Sequence, residues 1–289
     1  MGHLVLSRRV GPGALDSISN GENMKSPYYI NEPAAISFSG GRTSAYMLYK
    51  ILEAHNGKLP EEVKVTFANT GKEMPETLDF VQACSDNWDV EIVWLEYTGS
   101  KKLDMPKIVN YHTAARQGEP FELMIEQKKY LPSPPRRFCT QELKIYPIEK
   151  YMGEEFLTVV GIRADEPRRA AKQRAKEGYA VPLVDAGIGI HDIKNFWDCQ
   201  NFDLELPKSP EGYVDYSNCD LCFLKNMGIK RSIIRADPAR VDWWAAQEEK
   251  IGGRFRFDHP NYAQMKIIAK DQGQLFDFND ESLSCFCGD

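Results

Sequence analysis

The chain has no apolar run of membrane-spanning length, so nothing in it reads as a transmembrane helix. It has no basic excess either. Its 36 Lys and Arg stand against 42 Asp and Glu, a formal charge of -6, which argues against a general nucleic-acid coat. Neither G-x-x-x-x-G-K-[ST] nor G-x-G-x-x-G occurs, which removes two familiar nucleotide-loop signatures. There is no internal repeat and no long low-complexity tract. His112, His191 and His259 lack metal-ligand spacing and read as surface or capping residues. Residues 1–31 are rich in Gly, Ser and Asn and lack the apolar core of a secretory signal. They are expected to form a flexible tail, with Met24 a candidate internal start, and a cytoplasmic location is expected.

What is present begins with Ser39-Gly40-Gly41-Arg42-Thr43-Ser44, directly after the apolar run Ala34-Ala35-Ile36-Ser37-Phe38. Paired glycines reach backbone angles closed to other residues and can aim amide N–H groups at an anion. A following helix adds its positive end. Ala45, Leu48, Ile51 and Leu52 recur at helical spacing after the loop. The alternative is an ordinary tight turn between strand and helix.

Further strands are expected at Val63–Asn69, Glu91–Tyr97 and Phe156–Gly161, with helices at Thr43–Ala54, Glu76–Trp88 and Gln141–Tyr151. This alternation predicts an α/β fold, a parallel sheet with helices on both faces. Ligands bind beyond the carboxyl ends of such strands. Ser39-Gly40-Gly41, Asn69-Thr70-Gly71 and Gly161-Ile162-Arg163 all fall there. Residues 32–165 are therefore expected to be a nucleotide-binding domain. Residues 166–289, with helices near Lys230–Ala236, Pro238–Glu249 and Tyr262–Gln272, are expected to be an irregular α-rich extension packed on it.

Seven cysteines are unevenly placed. Cys84 and Cys199 stand alone and read as small buried hydrophobes. Cys139, the C-x-x-C pair Cys219 and Cys222, and the C-x-C pair Cys285 and Cys287 remain. In a reducing compartment such pairs are metal ligands or redox thiols. Four thiolates suit either an iron–sulfur cluster or zinc.

Ser39-Gly40-Gly41-x-x-Ser44, followed by Asn69-Thr70-Gly71-Lys72-Glu73-x-Pro75-Glu76-Thr77, resembles the phosphoadenosine phosphosulfate reductase branch of the adenine nucleotide alpha hydrolase-like (PP-loop) superfamily. Arg137-Phe138-Cys139-Thr140-x-x-Leu143-Lys144-x-x-Pro147 is similar to that branch's Cys-rich segment, and Gly161-Ile162-Arg163-x-x-Glu166-x-x-Arg169 to its arginine loop. The distance from Cys139 to Cys219-Asp220-Leu221-Cys222 is similar to that in its iron–sulfur form. Three positions depart from the family. Thr43 stands where adenylating members carry Asp, Phe138-Cys139 where iron–sulfur reductases have adjacent cysteines, and Cys287-Gly288-Asp289 where the reductase tail ends Cys-Gly-x-His.

The resemblance implies an adenine nucleotide ligand: a phosphosulfate with or without a 3′-phosphate, or ATP. Ser39, Gly40, Gly41, Arg42, Thr43 and Ser44 would take its phosphates, with Arg163 and Arg169 as bidentate donors and Asn69, Thr70 and Gly71 beside the nucleoside. Lys144 would balance charge at the phosphates or a cluster, unless it is an ordinary surface lysine. A [4Fe-4S] cluster on Cys139, Cys219, Cys222 and Cys285 is expected, with zinc the alternative. A thiolate of Cys285 or Cys287 would attack sulfur, and a thioredoxin-like partner would release sulfite. The rival implication is an ATP pyrophosphatase that thiolates a nucleic acid or small molecule. A third is a non-catalytic nucleotide-binding module with a structural metal.

Overall fold

The computed structural model describes residues 26–99, 105–153, 155–208, 216 and 219–271. Strand β1 (Ala34–Ser37) leads through the glycine loop into helix α1 (Arg42–Ala54). Then come β2 (Val63–Asn69), α2 (Pro75–Trp88), β3 (Ile92–Glu96), β4 (Lys107–Val109) and α3 (Glu119–Lys128). A helical turn at Phe138–Thr140 passes through a π-helical turn, Gln141–Ile145, into α4 (Tyr146–Met152). β5 (Leu157–Val160), α5 (Pro167–Arg174), β6 (Tyr179–Ala180) and α6 (Ile190–Trp197) follow. The last helices are α7 (Met227–Ala236), α8 (Arg240–Ile251) and α9 (Tyr262–Asp271). Among the described residues no helix is long and apolar enough to cross a membrane.

The six strands form one sheet in the order β4-β3-β2-β1-β5-β6. All pairs are parallel except β3 with β4. The fold is therefore α/β with a mostly parallel sheet and a helical C-terminal part. Strand order reverses at β1, between β2 on one side and β5 on the other, which is where an open sheet leaves a crevice.

Alternation along the strands divides the two faces. Ala34, Ile36, Val65, Phe67, Ile92, Trp94 and Val159 face a large core shared with α1, α2 and α6. Ala35, Ala68, Val93 and Leu95 face the opposite way and meet Ile148 of α4. A second large core gathers α3, α7, α8 and α9 around Phe121, Trp244, Phe255 and Tyr262.

Several features differ from the sequence reading. Of the expected N-terminal tail, residues 1–25 lie outside the described residues, while Tyr28 and Ile30 are buried in the first core. The sheet does not end at residue 165. β6 adds to it, and Leu183, Ile193 and Trp197 complete the first core. Conversely, α3 belongs with the C-terminal helices. Cys84 is fully buried, as expected, and burial pushes its thiol pKa up. Cys199 is exposed, not buried, because it lies on the turn that ends α6. His259 is not a surface residue: it is buried, its Nδ1 lying 3.1 Å from the Lys230 ammonium.

Trp197 anchors α6. It is buried against Phe80, Trp88 and Phe202, and its indole N–H donates to the Arg42 carbonyl at 3.1 Å. Trp197→Ala should destabilise the chain by about 3–5 kcal/mol, read as a lowered midpoint in urea unfolding. A midpoint equal to that of the parent would show that α6 adds nothing to the core.

Candidate functional site

The turn after β1 is built on hydroxyls and one left-handed glycine. Ser44 Oγ accepts the Ser39 N–H at 3.2 Å, donates to the Gly41 carbonyl at 2.9 Å and lies 2.9 Å from Ser39 Oγ. Gly40 has φ +78°, and a Cβ there would come within 2.6 Å of a Thr77 methyl. Gly41 at the N-cap of α1 offers no side-chain acceptor, so the first-turn N–H groups remain for an anion. Gly161 at the end of β5 lets that loop approach the same turn, since a Cβ would sit 3.1 Å from Ser44 Cα.

A cleft of about 320 Å³ opens at this point. Ser39 and Ser44 close one end, and Ser37, Ala68, Thr158 and Val160 form its floor on the sheet face. Residues of α4 and α5 line it as well, among them Ile148 and Gln173. Among the described residues, Arg137, Lys144, Arg169, Lys172 and Lys176 line the cleft against one carboxylate, Glu149. In an acidic chain this concentrates positive potential in a concave site.

The expected site residues separate into groups. Ser39, Ser44, Lys144 and Arg169 line the cleft. Gly40, Gly41 and Thr43 are buried in the turn behind them. Arg163 donates to Asp165 at 2.9 Å and reaches the Thr43 hydroxyl at 3.5 Å. Burial of Asp165 opposes its ionisation, but the Ile190 N–H and the Arg163 guanidinium outweigh that and hold its carboxyl below the usual range. Arg42 points outward and forms a two-pronged ion pair with Asp203 at 2.7 and 2.5 Å. Asn69 is fully buried, and its amide is committed to Glu96, the Ala115 carbonyl and the Gly71 N–H. Asn69 and Gly71 thus shape the end of β2 without lining the cleft. Cys285 and Cys287 lie outside the described residues.

Thr70, Cys139, Cys219 and Cys222 meet elsewhere, around a second cavity of about 20 Å³. Arg137, Thr140 and Lys144 line both cavities. The thiol loop is pinned to the end of β2. Cys219 bridges to Glu73, the Asp220 N–H donates to the Lys72 carbonyl at 2.7 Å, and Lys72 Nζ lies 3.1 Å from the Asp220 carboxylate. The Trp244 indole donates to the same carboxylate at 2.8 Å. Glu73 accepts from the Thr70 N–H and hydroxyl and lies 3.8 Å from Lys144 Nζ.

Three thiolates are the right donors for iron–sulfur or zinc chemistry. The cavity, however, holds about one water-sized group. Among the described residues, no three His, Cys, Asp or Glu side chains converge closely enough to hold a metal ion. The expected fourth ligand, Cys285, lies outside the described residues.

An α/β sheet with a cationic crevice at its switch point defines a nucleotide-binding class of protein. Residues 33–179 match the model of the phosphoadenosine phosphosulfate reductase domain, and the chain belongs to that adenine-nucleotide-binding family. An uncharacterized nin region protein of Escherichia phage lambda is 34% identical over 203 residues, which are 66% of this chain and 66% of the relative. An uncharacterized protein of Methanocaldococcus jannaschii is 26% identical over 229 residues, 74% of this chain and 41% of the relative. The chain thus spans about two thirds and two fifths of these relatives' lengths.

Sequence reading missed Asp220, Gln173 and the Arg42–Asp203 pair. Asp220 carried a signal in its position inside the C-x-x-C motif, whereas Gln173 carried none.

Gly40→Ala should destabilise the fold by about 1–3 kcal/mol through backbone strain and weaken nucleotide binding; chemical denaturation and calorimetric titration read the two effects. Asp220→Asn retains an acceptor for Trp244 but leaves Lys72 with no opposite buried charge. It should cost about 3–5 kcal/mol, with a lowered thermal midpoint. An unchanged midpoint would remove the carboxylate from the account of how the thiol loop is held.

Proposed function

We propose that the chain is an adenine-nucleotide enzyme that reduces a nucleotide phosphosulfate to sulfite. One observation carries this reading: the cationic cleft at the Ser39–Ser44 turn and the cavity of Cys139, Cys219 and Cys222 share Arg137, Thr140 and Lys144. A sulfonucleotide would rest its phosphates on the turn, with Arg169 and Lys144 matching its charge. Its sulfur would then lie toward the shared wall.

In the proposed reaction a thiolate of Cys285 or Cys287 attacks sulfur. An S–S bond forms as the sulfur–oxygen bond to phosphate breaks, and the adenine nucleotide leaves with the bridging oxygen. A dithiol partner then attacks the enzyme sulfur, supplies two electrons, leaves as its disulfide and releases sulfite. The cations near the cleft favour the thiolate over the thiol. No step is routed through a metal. Cys139, Cys219 and Cys222, with one tail cysteine, are the proposed ligands should a cluster or zinc be present.

The rival reading, ATP-dependent sulfur transfer, lacks support at Thr43. That position carries Asp in the adenylating members, and here its hydroxyl faces Arg163.

The test is anaerobic purification with quantitation of iron, sulfide and zinc, followed by assay with the adenosine phosphosulfates and a dithiol. Sulfite release is expected, and Cys285→Ser combined with Cys287→Ser should abolish it. Sulfite release that survives the double substitution overturns the nucleophile assignment. Pyrophosphate release from ATP without sulfite supports the rival instead, and no turnover with any adenine nucleotide leaves a binding module.

A further inference from the structure

Cys219 and Cys222 are the two ends of a four-residue turn, closed by the Cys222 N–H donating to the Cys219 carbonyl at 3.2 Å. Such a turn keeps its terminal Cα atoms less than about 7 Å apart. A disulfide asks for about 4.4–6.8 Å between the same atoms. Both residues also line one cavity. Cys139 lines it too but belongs to the helical turn Phe138–Thr140, so the backbone singles out Cys219 and Cys222 as partners.

A pair of thiols that opens and closes needs a frame that neither state disturbs. Every residue of this turn is anchored by something other than sulfur. The Cys219 backbone bridges to Glu73, and the Asp220 N–H donates to the Lys72 carbonyl at 2.7 Å. The Leu221 carbonyl accepts from the Tyr262 hydroxyl at 2.6 Å, and the Cys222 carbonyl accepts from the Lys225 N–H at 3.0 Å. Making or breaking an S–S bond therefore leaves these backbone anchors in place. Arg137, Thr140 and Lys144 line the thiol cavity and the cleft alike, so the pair borders the place where a sulfonucleotide would react.

We propose that Cys219 and Cys222 are a redox pair that closes a reversible disulfide and delivers the two electrons of the reduction. The delivery step rests on the sulfonucleotide reading above. One cysteine of the pair, as thiolate, attacks the enzyme sulfur of the thiosulfonate. An S–S bond forms, the bond to the sulfonate breaks, and sulfite leaves with the electron pair. The other thiolate then attacks the mixed disulfide, expels the tail thiolate and closes the Cys219–Cys222 bond. The two thiol protons pass to solvent, and the tail thiolate takes one back. An external dithiol acts one step later: it reduces the pair by exchange and departs as its own disulfide.

Two measurements on the full chain test this. In the first, the reduced anaerobic protein is freed of small thiols, mixed with either adenosine phosphosulfate, quenched by alkylation and mapped by mass spectrometry. Sulfite release is expected together with a Cys219–Cys222 disulfide. Cys219→Ser combined with Cys222→Ser should release sulfite only when an external dithiol is supplied, with an S-sulfonate held on a tail cysteine until then. In the second, the parent is equilibrated in glutathione buffers without nucleotide, which reads the pair even where the double variant does not fold. A disulfide at these two positions should form and reverse. A Cys285–Cys287 disulfide with Cys219 and Cys222 still reduced overturns the delivery of electrons. So does an S-sulfonate that persists in the parent until external dithiol is added. Iron or zinc held by both thiols, with no disulfide in any buffer, overturns the pair itself. A reversible Cys219–Cys222 disulfide in a chain that releases no sulfite from either nucleotide removes the reductase reading and leaves the redox pair.

Discussion

Asp220 holds the two halves of the molecule in register. Its carboxylate is almost wholly buried, and such a charge is tolerated only where opposite charge and hydrogen bonds replace water. Lys72 and Arg240 supply the charge, and the Trp244 indole and the Leu221 N–H supply donors. Lys72 comes from the end of β2, while Arg240 and Trp244 come from α8. One carboxylate therefore joins the carboxyl edge of the sheet to the helical core. Cys219 adjoins it in sequence, so the same pairing brings the Cys219 thiol to Thr70 and its backbone to Glu73, and Cys222 lines the same cavity as Thr70. Strict demands on a buried charge give this joint a single geometry, which a purely apolar contact would specify less sharply.

The cleft depends on a different constraint, the poverty of one sheet face. Ala35, Ser37 and Ala68 are too small to fill the layer between the sheet and α4, so a hollow remains beside β5. Hydroxyl groups, apolar side chains and cations all contribute to its lining. The chain as a whole is acidic, yet this concavity collects positive groups. Coulomb attraction between a phosphate and these cations strengthens where low-dielectric walls exclude water. The lining suits a ligand with both an anionic and an apolar part.

Much of the scaffold was legible in the sequence because its strands are apolar runs bounded by glycine or polar turns. Val63–Asn69 reads as a strand and is one, and Pro75 marks the start of α2 as proline at a first helical position does. β4 and β6, three and two residues long, carry too little periodicity to register. The site was legible where backbone chemistry dictates residue type, as at Ser39, Gly40 and Ser44. It was illegible where partners distant in sequence decide the outcome. Asn69 ends a strand and looks free to meet a ligand, but Glu96 and the Ala115 carbonyl occupy its amide. Arg42 looks like a phosphate contact until Asp203, 161 positions away, takes its guanidinium.

The two cavities touch because one helical segment serves both, and Pro147 explains how. In a regular helix the N–H at this position would donate to the Leu143 carbonyl, but proline has no N–H and its ring crowds that oxygen. The chain widens one turn earlier, where the Tyr146 N–H bonds back five residues to the Gln141 carbonyl. A π-turn of this kind re-aims the side chains around it and is frequent at functional sites. Gln141, Ile145 and Ile148 consequently face the cleft, whereas Cys139 and Leu143 face the thiol cavity. Arg137, Thr140 and Lys144 fall on the boundary. A charge on Lys144 therefore acts on both sides of the segment, and Glu73, anchored by Thr70, sets where that charge sits. Of the five cations that line the cleft, Arg137 and Lys144 thus stand where the two cavities meet, Arg169 and Lys172 belong to α5, and Lys176 follows just beyond its end.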